Sequence, residues 1–154
     1  MKELIVIGIG NRLMMDDGIG VRVVEELKSK NTKADILYVV GETDVYYCLN
    51  QIEDALMVII IDAVYLKKEP GSISIIPFDR ASENYINPMS VHDCNLLGEM
   101  RGKNIKGVLI GIEPYEINYS TSLSEVLESR YIRISEDIGD IIEDFTKNKR
   151  ASQD

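Results

Sequence analysis

The chain has 154 residues, a formal net charge of −9 and an apolar fraction of 45%. A chain near this length buries roughly 70% of the surface that it exposes when unfolded, which predicts a single domain with one sizeable core. The excess of acidic residues would repel a phosphate backbone, so nucleic acid is excluded as the expected partner. The longest apolar run, residues 55–61, is far shorter than the roughly 20 residues that cross a bilayer, and we expect no membrane insertion.

Cysteine usage and the N-terminal sequence bear on the compartment. Cys48 and Cys94 are the only cysteines, and they form no CxxC pair. We therefore expect neither a disulfide framework nor a structural zinc site, and both thiols should stay reduced. The first residues lead directly into an apolar run without the features of a secretory signal. These observations predict a cytoplasmic protein.

The first sixty residues alternate between apolar runs and segments with helical periodicity. Continuous apolar runs predict strands buried on both faces, as in parallel sheets. Acidic residues placed before an apolar periodicity favour a helix start. The predicted elements are a strand at 4–7, a helix at 17–29, a strand at 36–40, a helix at 45–52 and a strand at 56–61 that ends at Asp62.

The next segment contains a turn that determines the direction of the fourth strand. Pro70-Gly71 predicts a turn before a strand at residues 72–76. That connection is too short for a helical crossover, so we predict that the fourth strand is antiparallel. After an irregular stretch at residues 79–90, the pattern predicts a helix near residues 92–100 and a strand at residues 108–112.

The last forty residues predict a polar loop and two helices. The loop covers residues 113–122, and Ser135 is predicted to cap the second helix. Residues 147–154 are predicted to form a frayed tail beyond a domain at residues 1–146. The whole pattern predicts a single three-layer α/β domain, with a twisted, five-stranded, mostly parallel sheet between helices on both faces.

Several polar side chains follow the predicted strands at the point where each strand ends. In open α/β sheets ligands bind outside the carboxyl ends of the strands, so these side chains should lie at one edge. The only histidine, His92, begins a predicted helix that could cover the same edge. Carboxylates with one imidazole suit zinc, nickel, manganese or cadmium, which predicts a metal site. The side chains concerned are Asp16, Asp17, Glu42, Thr43, Asp62 and Glu113.

Each of these residues also has a purely structural interpretation. Asp16 and Asp17 could cap a helix and interact with its dipole, and Asp62 could form a turn. His92 could start a helix or pack in the core. From the residues alone both interpretations stay open.

Two other motifs indicate different chemistry. Gly8-Ile9-Gly10 after a first strand could form a dinucleotide-binding turn, but Leu13 stands where the third glycine belongs. Cys94 lies two residues from His92, which would suit a cysteine protease, although a buried thiol is the more common role.

The segment GIGNRLMMDDGIG at residues 8–20 resembles the opening signature GxGNxLxxDDGxG of the hydrogenase maturation endopeptidases. Later segments resemble further landmarks of that family in the same order, so that the resemblance covers residues 4–126. These segments are Ile61-Asp62-Ala63, Pro70-Gly71-Ser72-Ile73, Ser90-Val91-His92, Gly111-Ile112-Glu113-Pro114 and Leu123-Ser124.

The resemblance implies a twisted five-stranded sheet and a specific activity. It implies a protease that removes a C-terminal extension from the large-subunit precursor of a nickel-iron hydrogenase after nickel insertion. The implied metal-contacting and catalytic residues are Asp17, Asp62 and His92, and they would contact nickel that is carried by the substrate precursor. The resemblance implies no organic cofactor, and it favours a monomer.

Two departures from the family pattern concern loops that are expected to contact the substrate. Many members read DGGT where this chain has Val40-Gly41-Glu42-Thr43, and Gln is frequent where this chain has Glu113. Both loops therefore bear on which hydrogenase is recognised. Two alternative functions remain at this stage, a nickel-dependent precursor-binding module without cleavage and a dinucleotide-binding protein.

Overall fold

A five-stranded sheet forms the centre of the chain in a computed structural model that describes residues 3–80, 96–100 and 102–152. The strands are β1 (Leu4–Ile9), β2 (Ile36–Glu42), β3 (Met57–Ala63), β4 (Ile73–Pro77) and β5 (Gly107–Ile112). The helices are a 3₁₀ helix (Met15–Gly18), α1 (Ile19–Lys30), α2 (Val45–Ile52), α3 (Leu96–Met100) and α4 (Glu125–Ala151).

The strand order is β2-β1-β3-β5-β4, and four of the five strands are parallel. β4 runs antiparallel to β5, which confirms the predicted direction of the fourth strand. Although β4 follows β3 in the chain, β5 lies between them, and β4 occupies the edge of the sheet. The fold class predicted from the sequence is therefore confirmed.

Side chains on the two faces of the sheet form two separate cores. On one face Leu4, Val6 and Ile61 pack with buried residues of α1 and α4. On the other face Ile5 and Ile7 pack with buried residues of α2 and α3. Successive residues of a strand point to opposite faces, so the uninterrupted apolar run of β1 supplies both cores at once.

The end of the chain differs from the prediction. Residues 125–151 form one continuous helix instead of a pair of helices, and Ser135 is a buried residue in its interior. The cap is Ser124, whose hydroxyl accepts the N–H of Leu127 at 3.3 Å. Serine occupies both position 124 and position 135, and only the contacts at the N-terminal turn of α4 show which of the two is the cap.

The predicted C-terminal tail and the predicted end of β3 also differ from the structure. α4 runs to Ala151, so residues 147–151 are helical, while the domain boundary at residue 146 stays a prediction. β3 extends through Asp62, which pairs with Gly111 of β5 and thus lies within the strand instead of after it. In the part of the chain that the structure describes, no helix is long and apolar enough to span a bilayer.

A close approach between α1 and the sheet fixes the position of the first loop. A Cβ added to Gly20 in α1 would lie 2.3 Å from the carbonyl oxygen of Ile61 in β3. A Cβ added to Gly8 in β1 would lie 2.5 Å from the carbonyl oxygen of Gly20. Both contacts are with backbone, which cannot move without shifting a strand or a helix.

We expect Gly20→Ala to lower the free energy of unfolding by at least about 2 kcal/mol, since overpacking against backbone has few ways to relax. Gly139→Ala is the matched control, because Gly139 is also helical and its added Cβ would meet only the tip of Leu27 at 3.3 Å. The control should change stability by less than about 1 kcal/mol. Urea denaturation of both variants measures the difference, and equal midpoints would contradict the close packing.

Candidate active site

The loop that leaves β1 folds back on the 3₁₀ helix. Gly10 has a φ of 134°, and a Cβ at this position would lie 2.0 Å from the carbonyl oxygen of Asp17. The next residue, Asn11, donates its backbone N–H to the Asp17 carboxylate at 2.9 Å. The turn after β1 thus packs closely against the 3₁₀ helix, and a carboxylate of the chain itself accepts the N–H of Asn11.

Asp16 is fully buried and is the anchor of the loop that follows β5. Its carboxylate accepts the backbone N–H groups of Tyr115 and Glu116, each at 2.9 Å, and that of Ser124 at 2.8 Å. The hydroxyl of Ser124 donates a fourth hydrogen bond at 2.7 Å. The interpretation of Asp16 as a cap of the following helix is therefore wrong, since its side chain holds the start of α4 and the loop before it.

Asp17 and Asp62 lie close together at the carboxyl edge of the sheet. Asp17 is 3% exposed, and Asp62 is partly buried near the end of β3. Burial raises the pKa of Asp62 well above its ordinary value, and the negative charge of Asp17 raises it further. The N–H of Ala63, which donates to Asp62 at 2.8 Å, acts in the opposite direction. Each of the two acidic groups disfavours ionisation of the other. A proton or a cation is therefore stabilised beside them.

Glu113, at the end of β5, is a buried acid with a structural contact. One of its carboxylate oxygens accepts the N–H of Leu66 at 2.8 Å, which ties the loop after β3 to the end of β5. Its backbone exchanges hydrogen bonds with Gly71 and Ser72 in the turn before β4. Glu113 therefore positions two loops at the same edge as Asp17 and Asp62.

Glu42, at the end of β2, lies on the surface and contacts the first loop. Its carboxylate accepts a hydrogen bond from Arg12 at 2.8 Å, and Arg12 also pairs with Glu25 of α1. The backbone of Glu42 has a φ of 51°. Its carbonyl oxygen accepts the N–H of Gly10 at 2.9 Å. Glu42 thus supports the loop that carries Asn11, while Thr43 is exposed beside it.

His92 and Cys94 lie outside the described residues, so the structure does not test their predicted roles. Within residues 3–80, 96–100 and 102–152 there is no group of three or more His, Cys, Asp or Glu side chains that could hold a metal ion. Of the three residues assigned to the metal site, Asp17 and Asp62 are brought together, and the assignment of all three stays a prediction.

Sequence reasoning missed the contacts that hold this edge together. Asn11, Arg12 and Ser124 were part of motifs but had no assigned role, and they respectively bind Asp17, Glu42 and Asp16. An Asn after a glycine turn indicates a turn closed by its side chain, and Asn11 makes one by accepting the N–H of Leu13 at 2.9 Å. Its bond to Asp17 comes from the backbone N–H, for which the sequence carries no signal. The Asp16–Ser124 contact joins residues far apart in the chain, and no local pattern indicates it.

Comparison with known proteins gives one consistent family. A model of the HycI family, described as hydrogenase maturation protease, matches residues 21–142. A putative hydrogenase maturation protease of Methanocaldococcus jannaschii is 30% identical over 120 residues, which cover 75% of this chain and 78% of that protein. A hydrogenase expression/formation protein, HupD of Bradyrhizobium diazoefficiens, is 30% identical over 75% of this chain and 65% of that protein.

Solved structures agree with the sequence comparison. A hydrogenase 2 maturation peptidase from a Thaumarchaeota archaeon has a TM-score of 0.68 and 28% identity, and the match covers 92% of this chain and 99% of that one. The hydrogenase maturating endopeptidase HybD from Escherichia coli has a TM-score of 0.73 over 92% of this chain and 93% of that one. At 24% identity, this second likeness concerns the fold.

Asp16→Asn is expected to lower the thermal midpoint by several degrees. The carboxylate accepts hydrogen bonds through both of its oxygens, whereas an amide accepts through only one. The NH₂ group of the asparagine would therefore face backbone N–H donors in a buried site. Asp44→Asn is the matched control, because Asp44 caps α2 from an exposed position through one hydrogen bond from the N–H of Tyr47. Asparagine caps helices about as well as aspartate, so the control should be nearly neutral. Equal midpoints for both variants would contradict the anchoring role of Asp16.

Asp62→Asn is expected to stabilise the protein at neutral pH. The folded-state pKa of Asp62 is raised, so ionisation of Asp62 destabilises the folded state as the pH rises through that value. Asparagine has the shape of the neutral acid and avoids this loss. Each unit of pKa shift corresponds to about 1.4 kcal/mol, and 1 kcal/mol changes the midpoint by about 2–4 °C in a chain of this size.

The gain in stability from Asp62→Asn should depend on pH. It should be largest near about pH 8 and shrink toward about pH 3, below the ordinary pKa of an aspartate, where Asp62 is mostly protonated in both the folded and the unfolded states. Thermal unfolding of both proteins across this range measures the difference. A gain that does not change with pH, or a loss of stability at neutral pH, would show that burial and Asp17 do not raise the pKa of Asp62.

Proposed function

We propose that this chain, which belongs to the hydrogenase maturation protease family, is an endopeptidase that removes the C-terminal extension of a nickel-iron hydrogenase large-subunit precursor after nickel insertion. Members of this family are peptidases. The partner that we propose is the metal-loaded precursor, on which the protein acts as a monomer.

The observation that carries this proposal is the pair formed by Asp17 and Asp62 at the carboxyl edge of the sheet. Asp17 lies in the 3₁₀ helix that follows β1, and Asp62 lies near the end of β3, which is the neighbour of β1 in the sheet. Their proximity makes ionisation of both unfavourable, as the raised pKa of Asp62 reflects. A divalent cation brought by the substrate relieves that repulsion, so the pair of carboxylates favours a partner that carries a metal.

Nickel is in this proposal a part of the substrate. Asp17, Asp62 and His92 together supply the oxygen and nitrogen ligands that complete the coordination of an ion already bound by the precursor. A precursor without nickel brings no cation to the two carboxylates and is therefore not positioned for cleavage. The pair thus makes cleavage depend on a loaded metal centre.

The same groups could assist hydrolysis in two ways. The ion could polarise the scissile carbonyl, or it could lower the pKa of a bound water while a carboxylate accepts a proton. In either case the carboxylate of Asp17 has to face the ion, and the N–H of Asn11, which donates to that carboxylate at 2.9 Å, holds it in place. Asn11 is therefore a positioning residue for Asp17.

Cleavage of a cognate precursor should require nickel and the acidic pair. Nickel-loaded precursor should be shortened from its C-terminus by the wild-type protein, whereas metal-free precursor should stay intact. Asp17→Asn and His92→Ala should each lower the rate at least about 100-fold, since an amide keeps the shape of the acid but loses its charge and alanine removes a ligand. Intact-mass spectrometry of the precursor before and after incubation measures both effects.

Two control variants make the result interpretable. Asp44→Asn changes an acid of the same surface that caps α2 and should leave cleavage unchanged. Cys94→Ala should also leave cleavage largely unchanged, because the proposal uses no nucleophilic thiol. Cleavage that ignores nickel, or that survives Asp17→Asn and His92→Ala but is lost in Cys94→Ala, would overturn the proposed mechanism.

A further inference from the structure

Glu42 has a backbone conformation that is unfavourable for its residue type. Its φ of 51° lies in the left-handed region, where a Cβ is crowded by the following carbonyl oxygen. In the described part of the chain, the other non-glycine residues with a positive φ are Met15 and Lys67, at 52° and 58°. Glu42 ends β2 and the other two follow β1 and β3, so all three lie at the edge of the sheet that carries Asp17 and Asp62. Backbone strain of this kind clusters at functional sites.

The ion pair that Glu42 forms does not account for the strain in its backbone. Its carboxylate accepts the Nε–H of Arg12 at 2.8 Å, and the side chains of Arg12 and Glu42 are 37% and 53% exposed. An exposed pair contributes less to stability than the left-handed conformation usually costs a residue with a Cβ. Glycine has no such steric cost in this conformation. The side chain of Glu42 therefore needs an explanation other than the stability of the fold.

Glu42 holds Asn11 of the first loop from both sides. The carbonyl oxygen of Glu42 accepts the N–H of Gly10 at 2.9 Å, and its carboxylate binds Arg12. Gly10 and Arg12 are the residues directly before and after Asn11. The N–H of Asn11 donates to the carboxylate of Asp17 at 2.9 Å. A path of direct contacts thus leads from the end of β2 to Asp17.

Arg12 has further contacts that transmit its position to the 3₁₀ helix. Its guanidinium also pairs with Glu25 of α1, so it joins the end of β2 to that helix. Its backbone lies against Gly18, where an added Cβ would be 2.9 Å from the Cα of Arg12. Gly18 directly follows Asp17 in the chain. A displacement of Arg12 therefore moves backbone that lies on both sides of the Asp17 carboxylate.

We propose that Glu42 is a positioning residue for Asp17, and that its side chain acts through Arg12 and the backbone N–H of Asn11. This proposal rests on the proposed function, in which Asp17 contacts the metal that the precursor carries. Glu42 itself touches neither the metal nor the scissile bond. Its side chain therefore controls the rate of cleavage and has little effect on the affinity for the precursor.

The variant Glu42→Gly separates the side chain from the backbone contact. Glycine adopts the left-handed conformation freely and keeps the carbonyl oxygen that accepts the N–H of Gly10. Lys67→Gly is the matched control, because Lys67 is exposed, has a φ of 58° and forms no ion pair among the described contacts. Both variants should keep thermal midpoints within about 3 °C of the wild-type value, since relief of strain and loss of an exposed contact are both small. A fall of more than about 6 °C in Glu42→Gly alone would assign Glu42 to the stability of the fold and overturn the proposal.

Cleavage kinetics separate positioning from binding. With nickel-loaded precursor, Glu42→Gly and Arg12→Ala should each lower kcat about tenfold and leave KM within about twofold. The double variant should be no slower than the slower single variant, because both changes act through one contact. Lys67→Gly should match the wild-type protein. An unchanged kcat in Glu42→Gly, or a fall of about a hundredfold in the double variant, would overturn the proposal.

Amide exchange at Asn11 tests the same path without a substrate. Hydrogen–deuterium exchange followed by NMR should be at least about fivefold faster at the N–H of Asn11 in Glu42→Gly and in Arg12→Ala than in the wild-type protein. Lys67→Gly should leave it unchanged. Equal exchange in all four proteins would overturn the path from Glu42 to Asp17. The proposed function fails separately, if the wild-type protein leaves nickel-loaded precursor intact, and faster exchange at Asn11 would then still support the path.

Discussion

The carboxylate of Asp16 is the interaction on which the rest of the site depends. It is fully buried, and its four hydrogen bonds come from residues about a hundred positions later in the chain. Charge-assisted hydrogen bonds of this kind are stronger than neutral ones, and an unpaired carboxylate in the same place would be costly. The carboxylate also lies at the N-terminus of α4, where a negative charge is favoured. One side chain thus fixes the loop after β5, the start of α4 and the position of its neighbour Asp17.

Asp16 and Asp17 are adjacent in sequence and have opposite roles. All hydrogen bonds that Asp16 accepts in the described contacts serve the fold, whereas Asp17 faces a second acid and raises the pKa of Asp62. Repulsion between Asp17 and Asp62 opposes folding when both are ionised, whereas the hydrogen bonds that Asp16 accepts stabilise the fold. Unfavourable interactions that persist in a folded protein concentrate at functional sites.

Much of the architecture could be predicted because its determinants are local. The apolar runs of β1 and β3 predicted the parallel strands, and the periodicity of α1 predicted a helix between them. The short connection at Pro70-Gly71 predicted the direction of β4. The single helix at the end was missed, since both Ser124 and Ser135 are plausible caps and only the contact with Asp16 selects Ser124. The convergence of Asp17 and Asp62 followed from their positions near the carboxyl ends of parallel strands. The distinct burial of Asp16 and Glu113 could not be predicted, because it depends on partners that are distant in sequence.

The position of β5 between β3 and β4 has a consequence for the order in which the molecule is completed. During synthesis β3 and β4 leave the ribosome before β5. Until β5 arrives, β3 lacks one of its two neighbouring strands and β4 lacks its single neighbour. The segment that satisfies Asp16 emerges later still, at residues 115–124. A nascent chain therefore carries both acidic residues of the pair long before they are held in place. The protein therefore acquires an ordered site only when most of its own polypeptide has been made.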